Sequence, residues 1–183
     1  MGQKVYVGVD QSLRQPGLCV LNERCHVLYL GSLKTDGRGG SRLAEIYRYV
    51  VAKVGENNFV VRAAMEGPSL GSEHREFDLG EGSGAVKLAL SMVWGCEAAV
   101  VEPARLKLFA SGRGDTPDLI HAVKKFWGVV TEDDNAADAY ALARVAFALE
   151  NGPGMRRCEM EVIKSMTSPV KPRPKKVRRT DNV

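Results

Sequence analysis

The run Phe59-Val60-Val61-Arg62-Ala63-Ala64-Met65 is the most restrictive feature of the chain. It is short, nearly continuous in apolar character and rich in β-branched residues. That pattern suits a strand buried on both faces, as in the interior of a sheet covered by helices on either side. It ends on an acid, Glu66, followed by Gly67-Pro68. An ionised carboxylate beside such a strand costs free energy unless something pairs with it. A second strand has the same ending: Lys4-Val5-Tyr6-Val7-Gly8-Val9 closes on Asp10.

The remaining pattern surrounds these two strands. Residues 11–16 form a turn, 17–21 a second strand, Asn22-Glu23 a hairpin turn and 25–33 a third strand, so the chain opens as an antiparallel meander. Thr35 to Gly40 is a loop. Ser41 is placed to cap a helix whose apolar positions Leu43, Ile46, Tyr47, Val50, Val51 and Val54 recur every three or four residues. The Gly-rich, charged stretch 67–84 reads as a long loop. A helix is expected over 85–94, a fifth strand over 97–101, a short helix through Leu106, Leu108 and Phe109, and another over 116–127. The most periodic helix spans 136–150 after Asp133-Asp134 and stops at Gly152-Pro153-Gly154. Some helical propensity remains over 157–167. This order predicts an α/β three-layer domain, a mixed five-stranded sheet with helices on its faces.

Charge is unevenly placed. Of 26 bases and 22 acids, six bases and one acid fall in 169–183, leaving 20 bases against 21 acids in the body. The body is near neutral and the Pro-, Lys- and Arg-rich end reads as a disordered basic arm of the kind that contacts a polyanion. The expected division is a folded domain over 1–155 and an extension over 156–183. No apolar run approaches the roughly 20 residues of a membrane span, and the start lacks a signal-peptide pattern. The four cysteines form neither CxxC pairs nor zinc spacings. These features lead us to expect a soluble protein of a reducing cytoplasm.

The third candidate acid lies in Asp133-Asp134-Asn135-Ala136-Ala137-Asp138. Asn135 and Asp138 are spaced i, i+3 and Asp134 and Asp138 i, i+4, so each pair shares a helix face. The small alanines let that helix lie close to the sheet. Asp134 reads equally well as a helix cap. Carboxylates that no basic residue matches in sequence are natural partners for Mg²⁺, which takes carboxylate oxygens and keeps several waters.

Val7-Gly8-Val9-Asp10-Gln11-Ser12 with Gly17-Leu18-Cys19-Val20 resembles the first motif of the RuvC-type Holliday-junction resolvases, of the ribonuclease H-like superfamily. Ala64-Met65-Glu66 resembles their second acidic motif. Glu102-Pro103-Ala104-Arg105-Leu106-Lys107 with Ser111-Gly112-Arg113-Gly114 resembles their Pro-x-x-Val-Lys…Gly-x-Gly segment. Asn135-Ala136-Ala137-Asp138-Ala139 resembles their Asp-Ala-Ala-Asp-Ala motif. The resemblance covers 4–150, and the compact size and divergent loops are similar to a phage or mobile-element version, acting in a bacterial or phage-infected cell.

The resemblance implies a ribonuclease H-like fold and hydrolysis of DNA phosphodiesters with two Mg²⁺ ions, for which Mn²⁺ can substitute, leaving 5′-phosphate and 3′-hydroxyl ends. It implies Asp10, Glu66 and Asp138 as metal ligands, with Asn135 or Asp134 as the auxiliary group. Four-way junction DNA is the implied substrate and a homodimer the implied assembly, since two matched cuts need two sites related by the junction's two-fold axis. Helix 85–94, through Leu88, Leu90, Met92 and Val93, is a candidate dimer face and equally a candidate for ordinary core. Lys107, Arg113, His74, Arg75 and the tail bases Lys175, Lys176, Arg178 and Arg179 are candidate DNA contacts. Phe77 is a candidate to stack on an unpaired base.

Two departures from the family pattern stand out. Asn135 replaces an acid, although its amide oxygen can still face a metal or its water. Asp118 stands where a DNA-facing lysine is usual, and Arg113 is the nearest compensating base. Three rival readings remain: a nuclease of the same fold acting on other branched DNA or on RNA–DNA hybrids, a junction-binding module that has lost activity with its fourth acid, and a fragment of an actin-like sugar kinase, for which the chain is too short.

Overall fold

A computed structural model of the chain describes residues 2–67 and 76–168, with the side chains of 76–79 left out. Strands β1 (Lys4–Asp10), β2 (Gly17–Asn22) and β3 (Val27–Ser32) are followed by helix α1 (Gly40–Val54), strand β4 (Phe59–Glu66), helix α2 (Glu76–Trp94), strand β5 (Ala98–Val101) and helices α3 (Pro103–Ser111), α4 (Ile120–Trp127), α5 (Asp134–Asn151) and α6 (Arg157–Thr167). The sheet order is β3-β2-β1-β4-β5. β1 and β2 pair antiparallel, as do β2 and β3, whereas β1–β4 and β4–β5 are parallel. The mixed five-stranded sheet expected from the sequence is present. β4, the strand that reads as buried on both faces, lies between β1 and β5.

Strand alternation divides the core into two layers. Val5, Val7 and Val9 of β1, with Val60, Ala63 and Met65 of β4, pack toward α1 and α2. Tyr6 and Ala64 pack toward α3 and α5. A bulge in the β1–β4 register, where Val5 pairs with Val60 and Tyr6 with Arg62, brings the alternation of both strands into phase beyond it. Gly8, Asp10, Ala64 and Glu66 therefore share the α5 side. Val162 and Ile163 of α6 complete that layer. Arg156, stacked on Phe126 and Trp127 with centroid distances of 4.4 and 4.6 Å, ties the start of α6 to the carbonyls of Phe109 and Ala110 and to the buried Glu159.

Several local expectations change. The loop expected over 67–84 is helical from Glu76 onward, because Gly82 lets α2 come against Leu13, whose Cδ2 lies 3.2 Å from where a Cβ would stand. The helix expected from 116 begins at Ile120. Pro117 restricts the residue before it to extended backbone, and hydroxyl bonds from Ser111 to Thr116 (2.6 Å) and from Thr116 to the Arg113 carbonyl (3.1 Å) hold 111–116 as a turn. Ser41 does not cap α1. Its hydroxyl bonds Arg38, and the N-cap is Gly39. The third strand starts at Val27, since Cys25 adopts a positive φ of 61° in the turn.

α5 lies unusually close to the sheet. A Cβ on Gly8 would stand 2.1 Å from both the Ala139 carbonyl and the Ala143 nitrogen, and one on Gly17 would stand 2.0 Å from the Asn135 carbonyl. Neither position has space for a methyl group, and the atoms met are backbone. Gly8→Ala is therefore expected to lower unfolding free energy by at least about 3 kcal/mol, the upper range for forced overpacking. Urea unfolding of the two proteins measures it, and an unchanged midpoint would show that α5 can move away from β1 freely.

Candidate metal centre

Parallel pairing of β1 with β4 sets Val9 opposite Met65, so Asp10 and Glu66, one residue on, end side by side. Both side chains face α5, where Asp138 projects from the second turn. Carboxylate oxygens of Asp10, Glu66 and Asp138 lie within 4.8 Å of one another. Asp10 is buried, and Glu66 and Asp138 are half-buried. Sites at the carboxyl ends of adjacent parallel strands are the usual functional edge of such sheets.

Three acids at this spacing destabilise one another's charge. Burial raises the Asp10 carboxyl well above the ordinary range, and the charges of Glu66 and Asp138, a hydrogen bond with Glu66 and the charge of Asp134 raise it further. Burial also raises Glu66, against the opposing effects of the Asp10 hydrogen bond and the Lys107 charge. Asp138 is pushed up to about 7 by burial and by Glu66, with Lys107 opposing and Asp134 and Asp118 adding to the rise. One Asp138 oxygen, Oδ1, is buried with no hydrogen-bond partner among the described residues. Clustered oxygens, an orphaned acceptor and acids held toward their neutral form are what a divalent cation would relieve, and hard oxygen donors fit Mg²⁺ or Mn²⁺.

The other candidates fall in different places. Lys107, half-buried on α3, is the cation whose charge reaches both Glu66 and Asp138. Asp134 is exposed at the first position of α5. Its charge reaches Asp10 and Asp138, but it is not one of the three clustered acids. The cap is Asp133, which accepts from the Asn135 and Ala136 amides, so the cap reading of Asp134 is corrected by one residue. Asn135 is half-buried, with its backbone against Gly17. Arg113 is exposed and paired with Asp115 at 3.1 Å, and Asp118 adds negative charge near Asp138. His74, Arg75, the Phe77 side chain and Lys175, Lys176, Arg178 and Arg179 lie outside the described residues. The sequence pointed to the strand-end acids but gave no sign that Asp133 also bonds Ser32 of β3. Its signal as a cap is an Asp just before the first residue of the helix, the position that Asp favours.

No protein-family model and no curated protein matches the chain. Its fold matches solved structures. A Thermus thermophilus RuvC structure superposes with a TM-score of 0.65 at 21% identity, covering 81% of this chain and 96% of that one. T. thermophilus RuvC in complex with Holliday junction substrate gives the same score and coverage at 20% identity. The chain thus has a RuvC-type, ribonuclease H-like fold. No helix among the described residues is long and apolar enough to cross a membrane.

The raised acids set a pH dependence for the metal-free protein. A carboxyl whose folded pKa exceeds its unfolded value adds stability at low pH that is lost as pH rises through the folded pKa. For Asp138 that window runs from the ordinary value of 3.8 to about 7. Metal-free protein is expected to melt at a higher temperature at pH 5 than at pH 8. Asp138→Asn should narrow the difference by about 2–4 °C, the shift per kcal/mol for a domain of this size. Melting curves in EDTA at the two pH values check this, and equal curves for both proteins would contradict the mutual destabilisation of the acids.

Proposed function

We propose that the chain is a divalent-metal-dependent endonuclease that cuts four-way DNA junctions. The observation that carries this is the Asp10, Glu66 and Asp138 cluster at the carboxyl end of β1 and β4. The RuvC-type fold, one of whose solved examples is bound to a Holliday junction, supports the same reading. Asp10, Glu66 and Asp138 would hold two Mg²⁺ ions, or Mn²⁺, with Asn135 or Asp134 as auxiliary group. A metal bound there lowers the pKa of its water and neutralises charge developing on the phosphate. Lys107, whose charge reaches Glu66 and Asp138, would meet a phosphate oxygen and offset the site's negative charge. Arg113, His74, Arg75 and the tail bases supply further phosphate contacts, and Phe77 a stacking contact.

A two-fold junction asks for a two-fold enzyme. The candidate face is a groove of about 630 Å³ between α1 and α2, lined by Leu43, Ala44, Tyr47, Ala85, Leu88 and Met92, with Arg48 and Glu81 also at its walls. Leu88 is 52% and Met92 69% exposed, whereas Leu90 is buried core. Large exposed apolar side chains on adjoining helices suit a self-complementary contact. Met92→Glu is expected to shift sedimentation from dimer to monomer, and an unshifted profile would exclude this face.

The central test incubates a labelled synthetic four-way junction, or a linear duplex, with the protein in Mg²⁺ or EDTA. Paired symmetric nicks on the junction alone are expected, reduced about a thousandfold by Asp10→Asn, the equivalent of the several kcal/mol that metal-stabilised charge supplies. Tight junction binding without cutting in Mg²⁺ or Mn²⁺ would favour the binding-module reading, for which Asn135 is the supporting residue. Cutting of other branched DNA or of RNA–DNA hybrids in preference would keep the nuclease and change its substrate.

A further inference from the structure

Asp133 stands where three separate parts of the fold meet. Its Oδ1 accepts from the backbone amides of Asn135 (3.0 Å) and Ala136 (3.3 Å), closing the first turn of α5. Its Oδ2 accepts from the Ser32 hydroxyl at the end of β3. Its own amide donates to the Thr131 hydroxyl at 3.1 Å. Ser32 in turn accepts from the Gln15 side-chain amide at 3.0 Å. Gln15 belongs to the turn that follows Asp10. That turn is pinned to the same end of the sheet by the Leu33 amide on the Pro16 carbonyl (3.0 Å), and by the Thr35 amide on the Arg14 carbonyl (2.9 Å) and hydroxyl on the Leu13 carbonyl (2.6 Å).

Asp138 follows Asp133 by five residues, roughly 7.5 Å along a helix axis. Its carboxylate must stay within reach of acids carried by two strands, and its helix touches β2 at Gly17 through the very turn that Asp133 closes. An uncapped first turn frays, since its amides have no partner within the helix. Both oxygens of Asp133 are engaged in these bonds, and Asp133 is not one of the three clustered acids. We propose that Asp133 is a positioning residue for the metal centre, which through Ser32 and Gln15 locks the depth and rotation of α5 against β1 and so sets Asp138 against Asp10 and Glu66. This rests on the metal-centre reading above.

The test uses the full chain and Mn²⁺ alone as probe, with affinity read by electron paramagnetic resonance, junction affinity in EDTA and the melting temperature as controls. Asp133→Ala is expected to weaken Mn²⁺ binding about tenfold, the lower range for loss of a group that orients a ligand, with junction affinity in EDTA unchanged. Asp133→Asn keeps the acceptor for the two amides, and the Ser32 hydroxyl can turn to accept from it, so this variant should bind Mn²⁺ as the wild type does. Ser32→Ala, which leaves the helix cap in place, should give a smaller loss in the same direction, and it carries the test if Asp133→Ala fails to fold. Wild-type affinity in both Asp133→Ala and Ser32→Ala overturns the proposal. An Asp133→Asn variant as weak as Asp133→Ala also overturns it, because charge rather than position would then be at work. Mn²⁺ binding by the wild type without cutting of any junction would end the nuclease reading and leave the positioning role standing, whereas a wild type that takes no Mn²⁺ would end both.

Discussion

The contact between α5 and the backbone of β1 and β2 is what the rest of the structure depends on. Gly8 and Gly17 leave no side chain between helix and sheet, and Ala139 and Ala143 present the smallest side chains on the helix side. Backbone meets backbone, so the N-terminal half of α5 reaches the carboxyl ends of β1 and β4. An acid on that helix then falls beside the two strand-end acids. A bulkier residue at either glycine would push the helix outward and separate them. Close packing here fixes chemistry as well as stability, because interiors at this density adjust in discrete rearrangements rather than by small shifts.

The electrostatics follow from that approach. Burial removes the water that would otherwise screen Asp10, Glu66 and Asp138, and each carboxylate then disfavours its neighbours' ionisation. Lys107 meets only part of this load. α3 brings it to the site from beyond β5, in a segment whose own charges, Arg105 on Glu102 and Arg113 on Asp115, are paired locally. Among the described residues Lys107 is the base whose charge reaches Glu66 and Asp138, and a divalent cation would neutralise the rest.

The strands were legible because a sheet writes a strong pattern. Alternation in 4–10, a nearly continuous apolar run in 59–65 and a hairpin at Asn22 each follow from burial on one face or two. The two strand-end acids were legible for the same reason, since a charge beside such a run contradicts its surroundings. The start of α2 was not, because Gly80, Gly82, Ser83 and Gly84 weigh against a helix locally. Packing of α1 against α2 and of Gly82 against Leu13 overrides that preference. The beginning of α4 was misread because apolar spacing carries no information about a hydroxyl-bonded turn at Ser111 and Thr116. The role of Asp133 depends on Ser32, about a hundred residues away in sequence, and no local spacing encodes a partner at that distance.

The same distance argument bears on Asn135. An amide there removes one charge from an edge where three acids already oppose each other, and the charge is not lost from the neighbourhood, since Asp134 sits one residue earlier. Its placement differs, however. Asp134 is exposed, its effect on Asp10 comes after burial, Glu66 and Asp138, and solvent screens it. Its Oδ1 accepts from the Asn135 amide at 3.0 Å, beside the two amide bonds that make Asp133 the cap. The tandem acids therefore divide two tasks: Asp133 holds the helix in register with the sheet, and Asp134 keeps a screened negative charge at the mouth of the centre.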